Sequence, residues 1–180
     1  MNVHAPPWWS VLVLLAGCAG SQPAPVSPEV PLALTAMDGQ RLELDAGLAR
    51  GETVALVFWQ TWCAPCAREA PQVVEALRAH GERIRFVGVV PGRDADVDDA
   101  EVRRVAARWG YDAFPQVRDR DLRLIDGLGV AGTPTLLVLG RDRQVLYRGH
   151  RPPERWDEYH GAAPAPSAEC QDGVCPLPGR

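Results

Sequence analysis

No run of apolar residues in this chain is long enough to cross a bilayer, which takes ~20 of them in a helix. The run Trp8 to Ala16 is too short for that. One short acidic stretch, Asp94 to Asp99, precedes a predicted helix over Ala100–Trp109, where it opposes the positive end of the helix dipole. The net charge is −4 with both signs interspersed, so no basic stripe marks a nucleic-acid face and no acidic block marks a solvating tail. No internal repeat is visible. Glycine and proline are plentiful, 17 of each, and the prolines crowd toward the two ends. Those ends are expected to lie outside the packed body. Apolar residues make up 46 % of the 180, enough for a core. The length suits one domain of ~100–150 residues plus appendages.

The N-terminal run W-W-S-V-L-V-L-L-A has the length of the apolar part of an export signal, although His4 is the one potentially cationic side chain before it. Leu15-Ala16-Gly17-Cys18 closely resembles the bacterial lipobox. That resemblance implies a signal peptide over 1–17, cut before Cys18, and lipid on the Cys18 thiol. A plain secretory signal with an incidental cysteine is the alternative. Ala19 permits outer-membrane sorting by resemblance to enterobacterial lipoproteins, and leaves inner against outer membrane open. Residues 18–29 then form a proline-rich tether. At ~3.1 Å per residue it would hold a domain roughly 30 Å off the bilayer. The expected location is the bacterial cell envelope, lipid-anchored and facing the periplasm. Disulfides form and persist there.

Order is expected from Val30. P-L-A-L-T and R-L-E-L-D alternate around Asp38-Gly39, a hairpin signal. Thr53 to Trp59 is a continuous apolar run rich in β-branched and aromatic residues, as in a strand buried on both faces. A helix is predicted from Ala64 to Ala79, with Val73, Val74 and Leu77 at helical spacing, then a buried strand from Ile84 to Val90. Strand, helix, strand in that order implies parallel pairing with a right-handed crossover. Further elements are a helix over Ala100–Trp109, a helical turn over Asp121–Gly127, strands over Thr135–Leu139 and Gln144–Arg148, and a closing helix over Pro153–Tyr159. Residues 161–180 read as an irregular Ala/Pro/Gly-rich tail.

Trp62-Cys63-Ala64-Pro65-Cys66 comes directly after the first buried strand and opens the helix. That context favours a redox pair. Two intervening residues at a helix start bring the sulfurs within bonding distance. Unpaired helix N–H groups and the dipole stabilise a thiolate on the first cysteine. Pro65 suits the first turn, where its missing N–H costs little. Cys63 is therefore expected to be exposed and nucleophilic, and Cys66 deeper and resolving. The competing reading is half a zinc site, which needs four ligands. Cys170 and Cys175 would have to supply the others from beyond a proline-rich linker.

The stretch F-W-Q-T-W-C-A-P-C-A-R-E-A-P resembles the thioredoxin superfamily, and within it the TlpA/ResA-type group of exported disulfide reductases. Three more features carry the resemblance. Pro71 stands at the place of the family's helix-kinking proline. Glu69 stands three residues after Cys66, where this group has an acid that handles protons. Gly132-Thr133-Pro134-Thr135 matches the cis-proline loop, some 70 residues on. The resemblance covers residues 30–160. It implies an α/β, thioredoxin-like three-layer sandwich: a central mixed sheet, helices on both faces and an N-terminal β-hairpin. It implies Cys63, Cys66 and Glu69 as catalytic residues, with Thr133, Pro134 and Trp62 binding substrate. An ordinary Thr-Pro turn and a solvated Glu69 are the plainer alternatives. The implied partners are protein disulfide substrates, in a setting such as cytochrome c maturation, and a membrane or periplasmic electron donor. No cofactor, metal or nucleic acid is implied, and a monomer is expected.

Thioredoxin has a buried Asp six residues before the first cysteine; here Val57 stands there. Trp59 is expected in the core, and Gln60, Thr61 and Arg68 on the surface. Copper-delivery proteins on this fold use a distant His with three residues between their cysteines. The spacing here is two, so His150 is given no metal role. Cys170 and Cys175, with four residues between them, fall outside the family pattern. They are read as a structural disulfide, as a second redox pair relaying with Cys63 and Cys66, or as a metal or partner trap. A non-enzymatic metal- or thiol-binding lipoprotein using Cys63, Cys66, Cys170 and Cys175 is the competing account of the whole chain.

Overall fold

Thr53–Phe58 (β3) is buried at every position, and the alternation of a strand splits its side chains between two cores. Ala55 and Val57 face one side with Trp59; Val54, Leu56 and Phe58 face the other. The computed structural model of the chain describes residues 24–161. In it β3 is the middle of a five-stranded mixed sheet. Ile84–Pro91 (β4) runs parallel to it on one side, and Thr135–Leu139 (β6) antiparallel on the other. Gln116–Asp119 (β5) and Val145–Gly149 (β7) form the two edges.

The hairpin precedes this sheet. Ala33–Thr35 (β1) pairs antiparallel with Arg41–Glu43 (β2). Met37 N–H donates to the Gln116 carbonyl at 2.7 Å, and Ala36 bridges to Val117. The hairpin thereby covers part of the β5 edge that would otherwise offer free backbone groups.

Ala64–His80 (α2) and Asp99–Trp109 (α3) cover one face, burying Ala70, Val73, Ala76, Val102, Val105 and Ala106 against it. Leu44–Ala49 (α1) and Arg123–Gly127 (α4) cover the other, through Leu44, Leu48 and Leu124. Asp98 caps α3, its carboxylate accepting the Ala100 and Glu101 N–H groups at 3.1 and 3.2 Å. Gly110 ends α3 in the left-handed region at φ 77°.

Three elements differ from the sequence expectation. The second arm of the hairpin is strand only to Glu43, and Leu44 starts a helix, because Leu44 and Leu48 at i, i+4 share one buried face. Pro153–Tyr159 yields only a 3₁₀ turn, Trp156–Tyr159, anchored by the buried Trp156. β5 was not expected, because Q-V-R-D reads as polar. Its charges are satisfied inside: Arg118 donates to the Gly92 carbonyl at 2.7 Å and pairs with Asp99. Asp119 accepts the Leu124 and Ile125 N–H groups at the start of α4, at 3.1 and 2.8 Å.

Candidate active site

Beyond β3 the chain turns sharply into α2. Trp59 is still held to the sheet, its N–H donating to the Val89 carbonyl at 3.1 Å. Its indole N–H donates to Gln116 Oε1 at 2.9 Å, and its ring packs against Trp109 and Tyr111 with centroids at 5.3 and 5.5 Å. The core placement expected of Trp59 is therefore found. Gln60 is a correction. It is buried rather than on the surface: its amide donates to the Pro91 carbonyl, and its Oε1 has no partner among the described residues. The Gln60 carbonyl accepts the Cys63 N–H at 3.1 Å, closing the turn.

Cys63 is the N-cap of α2, and its Sγ accepts the Cys66 N–H at 3.1 Å. Pro65 lies in the first turn. Cys63 and Cys66 are joined as a disulfide, with Cα atoms 5.2 Å apart. The N–H now aimed at a neutral sulfur would make a charge-assisted bond to a thiolate once the disulfide is reduced. The expected order of exposure holds, but its size does not. Cys63 is only 7 % exposed and Cys66 1 %. Attack on Cys63 must come along a narrow approach. Beside it stands Trp62, 65 % exposed. An apolar ring of that size in water is a ready contact for an incoming chain.

The Thr133–Pro134 peptide bond is cis, as the resemblance implies. Thr135 Oγ1 donates to the Gly132 carbonyl at 2.7 Å, which ties the loop to the start of β6. A cavity of about 10 Å³ lies between this loop and α2, lined among others by Cys66, Glu69, Tyr111, Pro134, His150 and Arg151. That volume is close to what one water needs. Val57 lines it too, an apolar wall where thioredoxin has its Asp. Trp62 and Thr133 do not line it.

Glu69 points inward from α2. Its side chain is 15 % exposed, and Oε2 is buried with no hydrogen-bond partner among the described residues. Oε1 lies 3.7 Å from Arg151 Nε. The phenol of Tyr111 is pushed well up from its ordinary range, by burial first and by the negative charge of Glu69 second. Arg68 is exposed, as expected. Cys18, Cys170 and Cys175 lie outside the described residues. Among the described residues no three His, Cys, Asp or Glu side chains are grouped to hold a metal ion.

The sequence reading did not find His150 or Arg151 in this place. His150 Nδ1 donates to the Pro134 carbonyl at 2.7 Å. The signal was in the hairpin register. β6 and β7 pair antiparallel with Leu136 opposite Gly149. The residues after Gly149 must then come alongside the cis-proline.

A disulfide thus caps a helix beside a cis-proline, at one end of a five-stranded mixed sheet. The redoxin family model matches residues 20–162 of the chain. The chain belongs to the redoxin family. Thiol-disulfide oxidoreductase ResA of Bacillus thuringiensis (strain Al Hakam) is 28 % identical to this redoxin over 148 residues, 76 % of this chain and 82 % of that protein. StoA from Bacillus subtilis superposes with a TM-score of 0.59 at 23 % identity, covering 75 % of this chain and 98 % of that one. The pneumococcal exposed lipoprotein thioredoxin Etrx1 from Streptococcus pneumoniae strain TIGR4 gives 0.55 at 24 %, covering 69 % and 90 %. This redoxin is a thiol–disulfide oxidoreductase of ResA/TlpA type with a thioredoxin-like fold.

Proposed function

We propose that the chain works in the bacterial cell envelope, lipid-anchored through Cys18 and facing the periplasm, where it reduces or exchanges disulfides of envelope proteins. The domain is residues 30–160, held on the 18–29 tether, with the 161–180 tail carrying a second cysteine pair, Cys170 and Cys175. Cytochrome c maturation is the setting that the family resemblance offers. The observation that carries the chemistry is the Cys63–Cys66 disulfide at the N-terminus of α2, beside the cis Thr133–Pro134 bond.

The cycle starts from the dithiol. The Cys63 thiolate attacks one sulfur of a substrate disulfide, and the other substrate sulfur leaves as a thiolate. Trp62 and the Thr133 backbone hold the substrate segment, with Pro134 shaping the groove. The Cys66 thiol then gives its proton to the Glu69 carboxylate, through the small cavity they share. The Cys66 thiolate attacks Cys63 Sγ, and the bond from Cys63 to substrate breaks. Two electrons have passed to the substrate, and Glu69 returns its proton to solvent. A dithiol donor at the membrane or in the periplasm restores the dithiol by the same steps in reverse.

The purified chain should catalyse insulin disulfide reduction, and Cys63→Ser should abolish it. Cys66→Ala should accumulate a mixed disulfide on Cys63, seen by mass spectrometry. Turnover retained by Cys63→Ser would overturn the assignment.

A further inference from the structure

The tail departs from a fixed point. Gly161 packs on the start of β3, where a Cβ would fall 2.4 Å from the Gly51 carbonyl oxygen. His160 Nε2 lies 3.0 Å from Nδ1 of His80, the last residue of α2. The disulfide caps the other end of the same helix. Between the two ends a groove of about 410 Å³ follows α2 from His80 to Pro71. Pro71, Ala76 and Ala79 line it from the helix, and Pro152, Pro153 and Trp156 from the segment after β7. Pro152 also lines the small cavity behind Cys66. The groove therefore leads from the root of the tail to the redox site.

Length, composition and charge make the tail itself the occupant. Helix α2 has 17 residues and rises about 25 Å. An extended, proline-containing chain from Gly161 to Cys170 covers about 28 Å, at ~3.1 Å per residue. A random coil of that length would average roughly 15–18 Å. Cys170 thus reaches Cys63 only when the segment is drawn out along the helix. Residues 162–168 read A-A-P-A-P-S-A, a composition that favours an extended form. Grooves with aromatic walls, such as Trp156 and His80 provide, take segments of this kind. Glu75 and Glu154 also line the groove and would repel an acidic partner, whereas the tail has no charge before Glu169. Cys63 is only 7 % exposed, which hinders a bulky donor. A thiol tethered beside it needs no diffusional encounter, and its effective concentration is on the order of millimolar.

We propose that residues 162–169 dock in this groove and present Cys170 to Cys63, making Cys170 and Cys175 a built-in dithiol that reduces the Cys63–Cys66 disulfide. This goes beyond the function proposed above and rests on the redox role given there to Cys63 and Cys66. The Cys170 thiolate attacks Cys63 Sγ, the Cys63–Cys66 bond breaks, and Cys66 leaves as a thiolate that takes up a proton. The Cys175 thiolate then attacks Cys170 Sγ, the Cys63–Cys170 bond breaks, and Cys63 leaves as a thiolate. The tail has lost two thiol protons and two electrons. The α2 pair has gained the two electrons. An external dithiol donor restores the tail dithiol by the same exchange.

The first test places the tail. The full chain carrying Cys18→Ser, Cys66→Ser and Cys175→Ser is equilibrated in glutathione redox buffers and mapped by mass spectrometry without reduction. A Cys63–Cys170 disulfide within one chain should form, with an effective concentration of about a millimolar or more, and above that of the same chain in urea. Ala79→Trp, which fills the groove from an exposed helix position, should lower it about tenfold. Pro164→Gly with Pro166→Gly should lower it too, without touching the folded domain. The second test reads the transfer. Dithiothreitol should reduce Cys63–Cys66, followed by tryptophan fluorescence, at least about threefold faster with the tail pair present than in Cys170→Ser with Cys175→Ser. Ala79→Trp should remove that advantage. A Cys63–Cys170 link found only between chains, one unchanged by either groove or tail variant, or equal reduction rates would each overturn the inference and leave the Cys63–Cys66 couple standing. If Cys63 forms no mixed disulfide with glutathione either, the reading beneath it fails instead.

Discussion

Gly88 shows how one residue can decide the packing behind the disulfide. A Cβ built there would fall 1.9 Å from Gln116 Oε1. The missing side chain is what lets the Gln116 amide lie across the sheet, accept the Trp59 indole N–H and donate to the Phe114 carbonyl at 2.9 Å. Gly88→Ala must displace that amide and strand buried polar groups. The expected cost is about 2–4 kcal/mol, from overpacking and lost hydrogen bonds together. Urea unfolding should show the loss, with native-state tryptophan emission moved to the red. Tyr111 gives a second prediction at this scale. Its folded phenol binds its proton more tightly than the unfolded one, whose pKa is about 10. The stability this represents is intact below about pH 10 and is lost as pH rises above it. Tyr147 is raised as well, by burial and then by Tyr159, and acts in the same direction. Tyr111→Phe should therefore flatten the alkaline fall in stability without abolishing it, as read from denaturation midpoints against pH.

Elements whose own residues specify them were legible in the sequence. Thr53 to Trp59 reads as an interior strand, and Cys63 to Cys66 as the start of the helix after it. Helix α3 was legible from its acidic start. Elements defined by distant partners were not. β5 is a strand because Arg118 reaches the β4–α3 loop and Asp99, and because Asp119 caps α4. The partners of Arg118, Gly92 and Asp99, lie 26 and 19 residues away in sequence. Helix α1 hid in an alternating pattern that serves a strand as well as a short helix. The same logic divides the site. Cys63, Cys66, Glu69 and Pro134 are carried by local motifs. Gln60, His150 and Arg151 matter only through contacts to Pro91, Pro134 and Glu69, made across strands.

At the scale of the whole molecule the sheet separates two tasks. The Trp59 side, with α2 and α3, supports the disulfide and includes both cysteines in its core. The other side, with the hairpin, α1 and α4, buries the remaining aliphatic residues and contains no redox group among the described residues. Lysine is absent from the chain, so its permanently charged cationic side chains are all arginine. Arg118 and Arg143 use the planar fork to bind two or more acceptors each, which a lysine could not match in geometry. These ties fix the loop after β4 and the segment from Ser27 to Val30, and leave the α2 N-terminus facing solvent through Trp62. Cys63 and Cys66 are the redox couple on which all of this converges. The most direct measurement is a redox titration of the purified chain, carrying Cys170→Ser and Cys175→Ser, in dithiothreitol buffers, followed by tryptophan fluorescence, which Trp59 and Trp62 place beside the sulfurs. One two-electron transition should appear, and it should vanish in Cys63→Ser and in Cys66→Ser alike. A transition that survives either substitution would contradict the account.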